Sequence, residues 1–72
     1  MIRERRVALQ FQLQRRVERF LKTSRIPPTR FGRDCMRDPR LVFDMRQGRR
    51  LRPATARRLN AYLDEQEKLL AG

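Results

Sequence analysis

Residues 29–48 read TRFGRDCMRDPRLVFDMRQG, which predicts two short helices on either side of an Asp-Pro pair. In the first helix, Phe31 and Cys35 are four residues apart and therefore lie on the same side. Gly32 has no side chain at the place where a second helix must cross closely. Two helices this short cannot stabilise each other alone, so we expect the flanking segments to support them.

The second short helix is predicted over residues 39–47, with a proline at its first position. Asp38 is expected to cap its N-terminus, and Gly48 is expected to end it. Val42 and Met45 fall on one side of this helix and should pack against the rest of the domain.

Proline residues mark the limits of the neighbouring helices. A long amphipathic helix is predicted over residues 2–23, and the two consecutive prolines after it push the backbone out of helical geometry. Thr29 is then expected to cap a helix over residues 30–36. Pro53 is expected to begin a further helix that runs to about residue 70.

The pattern contains no strand signal and predicts one all-α domain over residues 1–72, a small four- to five-helix bundle. The predicted domain contains a helix-turn-helix and an extended N-terminal helix. This N-terminal helix would be about 33 Å long at 1.5 Å per residue. The turn between the two short helices is so tight that we expect Arg37 to adopt a positive φ. The apolar positions expected to face the core are Ile2, Leu9, Leu13, Val17, Phe20 and Leu21 in the first helix and Ala56, Leu59, Tyr62, Leu63 and Leu70 in the last.

Two apolar residues of the long helix lie away from its main apolar side. Val7 and Phe11 are four residues apart and form a second apolar spot on the half that extends beyond the core. Either the C-terminal helix covers them, or they form a surface for self-association or for a protein partner.

The charge of the chain is strongly one-sided. It has 19 Lys and Arg residues against 8 Asp and Glu residues, and 17 of the basic residues are arginines. Residues 1–63 carry 18 basic and 5 acidic groups, a net charge of +13, whereas residues 64–72 carry 1 and 3, a net charge of −2. Arginines can simply solvate helix surfaces, but an excess of this size attracts polyanions by releasing their counterions. Nucleic acid is therefore the expected partner.

Other classes of protein have little support in the sequence. No apolar run is long enough to span a membrane, residues 1–10 lack the apolar core of a signal peptide, and Trp is absent, so we expect a cytoplasmic, nucleoid-associated protein without membrane contacts. The chain has no His and a single Cys, which argues against a metal site or an internal disulfide, and we expect no cofactor. Without a catalytic constellation an enzyme is not expected, and the acidic cluster Asp64, Glu65 and Glu67 near Lys68 is interpreted as a solvated helix end.

The run from Val17 to Leu63 resembles the Xre or lambda-repressor-like helix-turn-helix DNA-binding domain, and within that family the short regulators of alphaproteobacteria. The residues that carry the resemblance are Phe31, Gly32, Cys35, Asp38, Pro39, Val42, Met45, Gly48, Arg49 and the Arg-Arg-Leu at 57–59. The chain departs from the family in its turn, which has Met36 and Arg37, and in its longer first helix.

The resemblance implies that the second short helix enters the major groove of double-stranded DNA. Its base contacts would come from Pro39, Arg40, Phe43, Asp44 and Gln47. Arg40 is the best candidate for reading guanine, and Phe43 either touches a thymine methyl group or packs inside the domain. Asp44 either accepts a hydrogen bond from cytosine or holds Arg40 in place.

Phosphate contacts are expected from the start of the first short helix and from the loop that follows the second. The candidates are Thr29, Arg30, Arg33, Arg37, Arg49, Arg50 and Arg52. Arg46 points either towards Asp34 or towards phosphate.

The sequence thus favours a sequence-specific transcriptional regulator that acts as a homodimer. Two alternatives stay open: an architectural protein that coats DNA with little sequence preference, and a protein-interaction module, such as an antitoxin, that works through its long first helix.

Overall fold

Four α-helices make up the protein in the computed structural model, which describes the backbone of residues 2–71 and the side chains of residues 10–70. In chain order they are α1 (Ile2–Ser24), α2 (Pro28–Met36), α3 (Leu41–Arg46) and α4 (Pro53–Ala71). No strand occurs within the described backbone. The prediction of a small all-α bundle with a long first helix is confirmed.

The junction between α1 and α2 is built by backbone geometry. Arg25 adopts a positive φ of 61° and its N–H donates to the Leu21 carbonyl over 2.8 Å, which ends α1. Pro27 is the N-cap of α2 and makes no side-chain cap bond, and Pro28 occupies the first turn. The prediction that Thr29 caps this helix was wrong, because the helix begins at Pro28, two residues earlier than predicted, and Thr29 lies inside its first turn.

The core lies where α2 and α3 meet α1 and α4. Phe31 is its centre: its ring lies 5.6 Å from that of Phe20 in α1 and 5.7 Å from that of Tyr62 in α4, the latter edge to face. The buried residues are Leu13, Val17, Phe20, Leu21, Phe31, Cys35, Leu41, Val42, Met45, Leu59 and Leu63. The burial predicted for Phe31, Cys35, Val42 and Met45 is confirmed. Leu70 was predicted to face the core but is 57% exposed, because α4 continues past the helices that would cover it.

A close backbone contact joins α2 to the turn before α3. The Asp38 N–H donates to the Gly32 carbonyl over 3.1 Å, and a Cβ atom on Gly32 would overlap the Asp38 carbonyl oxygen. Arg37, between them, has a φ of 55°, as predicted from the shortness of the turn. Only glycine fits at position 32, so this residue sets how closely the two short helices approach.

The start of α3 differs from the prediction. The Asp38 carboxylate accepts from the Arg40 N–H over 3.0 Å, and the Asp38 carbonyl accepts from the Leu41 N–H over 3.1 Å. These bonds close a turn around Pro39, so Arg40 is the N-cap and the helix begins at Leu41. Asp38 therefore stabilises the preceding turn and does not cap the helix. Gly48, with a φ of 89°, follows the end of α3 as predicted.

Candidate nucleic-acid interface

The helix α3 has one buried and one exposed side. Leu41, Val42 and Met45 are almost fully buried. At 100° per residue, the opposite side carries Arg40, Phe43 and Gln47, and all three are exposed. Three of the five predicted base-contacting residues therefore share one outward surface. Pro39 is also exposed, in the turn before the helix.

Phe43 is a large apolar residue on this outward surface. Its side chain is 43% exposed, so it is not packed inside the domain. The guanidinium carbon of Arg46 lies 5.7 Å from the centre of the Phe43 ring, within the range of a cation–π contact. One side of the ring is thereby supported by an arginine, and the rest is accessible.

Arg46 is also held by α1. Its Nε and Nη2 atoms donate to the two carboxylate oxygens of Glu18 over 2.7 and 2.8 Å. The hydrogen bond to Arg46 holds the pKa of the Glu18 carboxyl below its ordinary value, and the bond to Glu18 raises the pKa of Arg46. The carboxylate that pairs with Arg46 is therefore Glu18 and not Asp34, which the sequence suggested; Asp34 instead lies 3.6 Å from Arg30.

On the other flank of α3, Asp44 is half-buried and pairs with Arg49. Arg49 Nη1 lies 2.6 Å from Asp44 Oδ2, and the Arg49 backbone N–H donates to the Asp44 carbonyl over 3.0 Å. The suggested pairing of Asp44 with Arg40 is not among the ion pairs of the described side chains. Asp44 thus fixes the beginning of the loop that carries Arg49, Arg50 and Arg52, which we call the basic loop.

The loop that carries Arg49, Arg50 and Arg52 is attached to α1 by one side chain. The Gln10 amide donates to the Arg49 carbonyl and accepts from the Leu51 N–H over 3.1 Å. The backbone is therefore held on both sides of Arg50, while the side chains of Arg50 and Arg52 are exposed.

The residues predicted on α2 fall into two groups. Thr29 and Arg33 are exposed, and helical spacing places them on the side of α2 nearer to α3, while the exposed Arg37 lies in the turn that follows α2. Arg30 lies beside Asp34 towards α4, where both charges influence the pKa of Tyr62, which burial raises above its ordinary value. Arg30 is thus separated from the other predicted phosphate contacts.

Sequence reasoning missed Glu18 and Gln10 as residues that shape this surface. They are eight residues apart and so lie on one side of α1, together with Gln14. The polar stripe that these three residues form on α1 was the available signal. Its partners could not be identified without knowing how α1 packs on α3.

A groove of about 1060 Å³ lies between α1, the basic loop and the beginning of α4. Its lining includes Phe11, Leu13, Leu51 and Ala56, and Phe11 is 61% exposed. The C-terminal helix therefore does not cover Phe11. Val7, the other residue of the predicted apolar spot, lies outside the residues whose side chains are described.

Three further features concern the reactivity of the cysteine, metal binding and membrane insertion. Burial raises the pKa of the Cys35 thiol to about 11, which makes it a poor nucleophile at neutral pH. Among the described side chains, no group of three or more His, Cys, Asp or Glu residues is placed to bind a metal ion. None of the helices, over the residues described, combines the length and apolar character needed to cross a bilayer.

No protein-family model, no curated protein and no solved structure matches this chain.

Proposed function

We propose that this protein binds double-stranded DNA in a sequence-specific manner and acts as a transcriptional regulator. The observation that carries this proposal is that α3 has one buried side and one exposed side. Its apolar side is sealed in the core, so its outward side, with Arg40, Phe43 and Gln47, is available to a ligand. Further exposed arginines occur on α2 and on the basic loop, the segments that precede and follow α3 in the chain.

The residues on this surface divide by position. Arg40 and Gln47 have hydrogen-bonding groups suited to base edges in the major groove, and Phe43 suits a thymine methyl group. Thr29, Arg33 and Arg37 on one side, and Arg50 and Arg52 on the other, would bind phosphates. Asp44 and Arg49 would contribute mainly by holding the loop, since they are paired with each other.

Electrostatics supports a polyanionic ligand. The net charge of +11 on 72 residues produces attraction that depends steeply on salt concentration. Because arginine presents a planar set of donors, it can bind phosphate and guanine in a bidentate manner. Association with chromosomal DNA would place the protein in the nucleoid of the cytoplasm.

We further propose that the protein acts as a homodimer on a two-fold related site. A domain this small covers few base pairs, and doubling the contact surface increases affinity and specificity. The exposed Phe11 beside the groove is the candidate contact. Phe11→Ser should lower the dimer fraction in analytical ultracentrifugation without changing the helical content. A different outcome would favour a protein-interaction module: the wild type is monomeric, and Phe11→Ser loses biological function while its DNA affinity is unchanged.

The DNA-binding proposal is tested by selecting bound fragments from a random duplex library at about 150 mM salt, since specificity depends on salt. We expect a discrete sequence to be enriched. Arg40→Gln should then reduce the preference for that sequence, by about 1–3 kcal/mol for a bidentate contact. Arg50→Gln should weaken binding to every sequence. Equal losses on selected and random duplex for both variants would contradict this division of roles.

An architectural protein that coats DNA is the second candidate, and the wide spread of charge favours it. Arg15 and Arg19 on α1 and Arg57 and Arg58 on α4 are also exposed, so exposed arginines occur on the long helices as well. Such a distribution would allow contacts with more than one duplex. Uniform protection in a footprint, with no enriched sequence in the selection, would identify this function.

A further inference from the structure

Two arginines beside the outward surface of α3 are already occupied by carboxylates of the same chain. Arg46 is bound by Glu18 from α1, and Arg49 is bound by Asp44 from α3 itself. Helical spacing places Arg46 on one flank of the surface and Asp44 on the other, with Phe43 and Gln47 between them. The two ion pairs therefore border the surface on both sides.

Stability alone does not account for these pairs. Both are partly exposed, and exposed ion pairs contribute little to folding. The pairs do change the charge that a duplex would meet. Each carboxylate cancels one full positive charge next to the side chains proposed to contact the bases. A carboxylate at that position also repels phosphate.

We propose that Glu18 and Asp44 are specificity-determining residues that withhold Arg46 and Arg49 from the DNA backbone. This inference rests on the DNA-binding function proposed above and adds a restraint on binding to unselected sequences. While both arginines are paired with carboxylates, the electrostatic affinity for random duplex is lower. Contacts from Arg40, Phe43 and Gln47 then contribute a larger share of the binding free energy. Glu18 acts as a positioning residue as well, since it holds Arg46 over the Phe43 ring.

The experiment measures the affinity of Glu18→Gln for random duplex over a range of salt concentrations. Glutamine keeps the size of the side chain but releases Arg46, which adds one phosphate contact. We expect the plot of log affinity against log salt to steepen by about 0.9, and affinity at about 0.15 M salt to rise about fivefold. Affinity for the selected sequence should rise less, so discrimination falls.

Two controls isolate the released arginine. Glu65→Gln makes the same change in net charge on an exposed α4 carboxylate that has no ion pair among the described side chains, so its slope should match wild type. The double variant Glu18→Gln/Arg46→Gln should lose the gain. Asp44→Asn, tested with Asp44→Asn/Arg49→Gln, should behave in the same way on the other flank.

The outcomes separate the two levels of the proposal. If wild-type protein binds random duplex and Glu18→Gln leaves the slope unchanged, or if the gain persists without Arg46, the inference about the carboxylates is overturned while DNA binding stands. If wild-type protein fails to bind any duplex even at low salt, the proposed function itself is overturned. Thermal unfolding of each variant shows that the differences arise in folded protein.

Discussion

Arginine has different surroundings in the two helix pairs of this bundle. Where α1 crosses α4, Arg16 donates to Asn60 over 2.9 Å, to Glu67 over 2.9 and 3.3 Å, and also to Asp64. On α2 and at the start of α3, by contrast, Arg33, Arg37 and Arg40 form no ion pair with any described side chain. Arg16 thus joins α1 to α4, whereas Arg33, Arg37 and Arg40 present charge that no described carboxylate neutralises.

The two pairs also differ in what holds them together. The short helices depend on buried apolar contacts and on a backbone contact at Gly32, because nine and six residues provide little helical stability of their own. The long helices add a surface ion network to their apolar contacts. The surroundings of an arginine, and not the number of arginines, therefore indicate which of them can bind a ligand.

The largest expected effect tests the packing beneath the short helices. Phe31→Ala removes the ring that contacts both Phe20 and Tyr62, and it should cost about 3–5 kcal/mol in free energy of unfolding. Phe43→Ala is the matched control, because its ring is partly exposed. It should cost less than about 1 kcal/mol but weaken binding to a selected duplex. Urea denaturation measures both, and similar losses for the two variants would mean that Phe43 belongs to the core.

The close approach of α2 to the turn before α3 should be nearly as sensitive. Gly32→Ala places a Cβ atom against the Asp38 carbonyl and 3.2 Å from the Leu41 Cβ, and it should cost about 2–3 kcal/mol as the helices move apart. Gly48→Ala has open space around it but a φ of 89°, so it should cost about 1 kcal/mol. A smaller loss at position 32 than at position 48 in urea denaturation would contradict the observed contact.

Replacing an arginine that is paired with carboxylates and replacing one that is not should have opposite effects on stability and on the salt dependence of DNA binding. Arg16→Gln should lower the free energy of unfolding by about 0.5–1 kcal/mol and leave the salt dependence of DNA binding unchanged. Arg52→Gln should leave the stability within about 0.5 kcal/mol and flatten the salt slope by about 0.9. The comparison fails if Arg16→Gln flattens the slope as much as Arg52→Gln does.

The smallest expected effect is the acid sensitivity of the ion pairs. Hydrogen bonds from Arg16 and Arg46 hold the pKa values of Glu67 and Glu18 below their ordinary range. Groups with a lowered folded-state pKa stabilise the fold above the unfolded value of about 4.3, and this contribution disappears as the pH falls through the folded value. Urea midpoints should therefore decline below about pH 4. The decline should be shallower in Arg16→Gln/Arg46→Gln, and an identical decline would show that other carboxylates cause it.

The sequence predicts the helices of this fold well because their limits depend on local chemistry. The Pro-Pro pair, Gly48 and Pro53 act on their own backbone, and the positive φ of Arg37 follows from a short turn. Errors arose where two local signals competed. Thr29 and Asp38 are both good cap residues, but each lies beside a proline that shifts the helix start.

The surface was predicted less completely, because pairing depends on how distant segments pack. The outward positions of Arg40, Phe43 and Gln47 follow from helical periodicity. The partners of Arg46 and Arg16 lie 28 and 44–51 residues away in the chain, so no local pattern identifies them. Their identification requires the placement of α1 against α3 and α4.

The Gln10 side chain would affect the thermodynamics of the proposed DNA binding. Its amide holds the backbone on both sides of Arg50, so this stretch of loop is ordered before any ligand arrives. Fixing the backbone of one residue costs about 1–2 kcal/mol in conformational entropy, and a loop that is already fixed avoids that loss on association. In the proposed complex with DNA, Gln10 would in this way increase the affinity of Arg50 for phosphate.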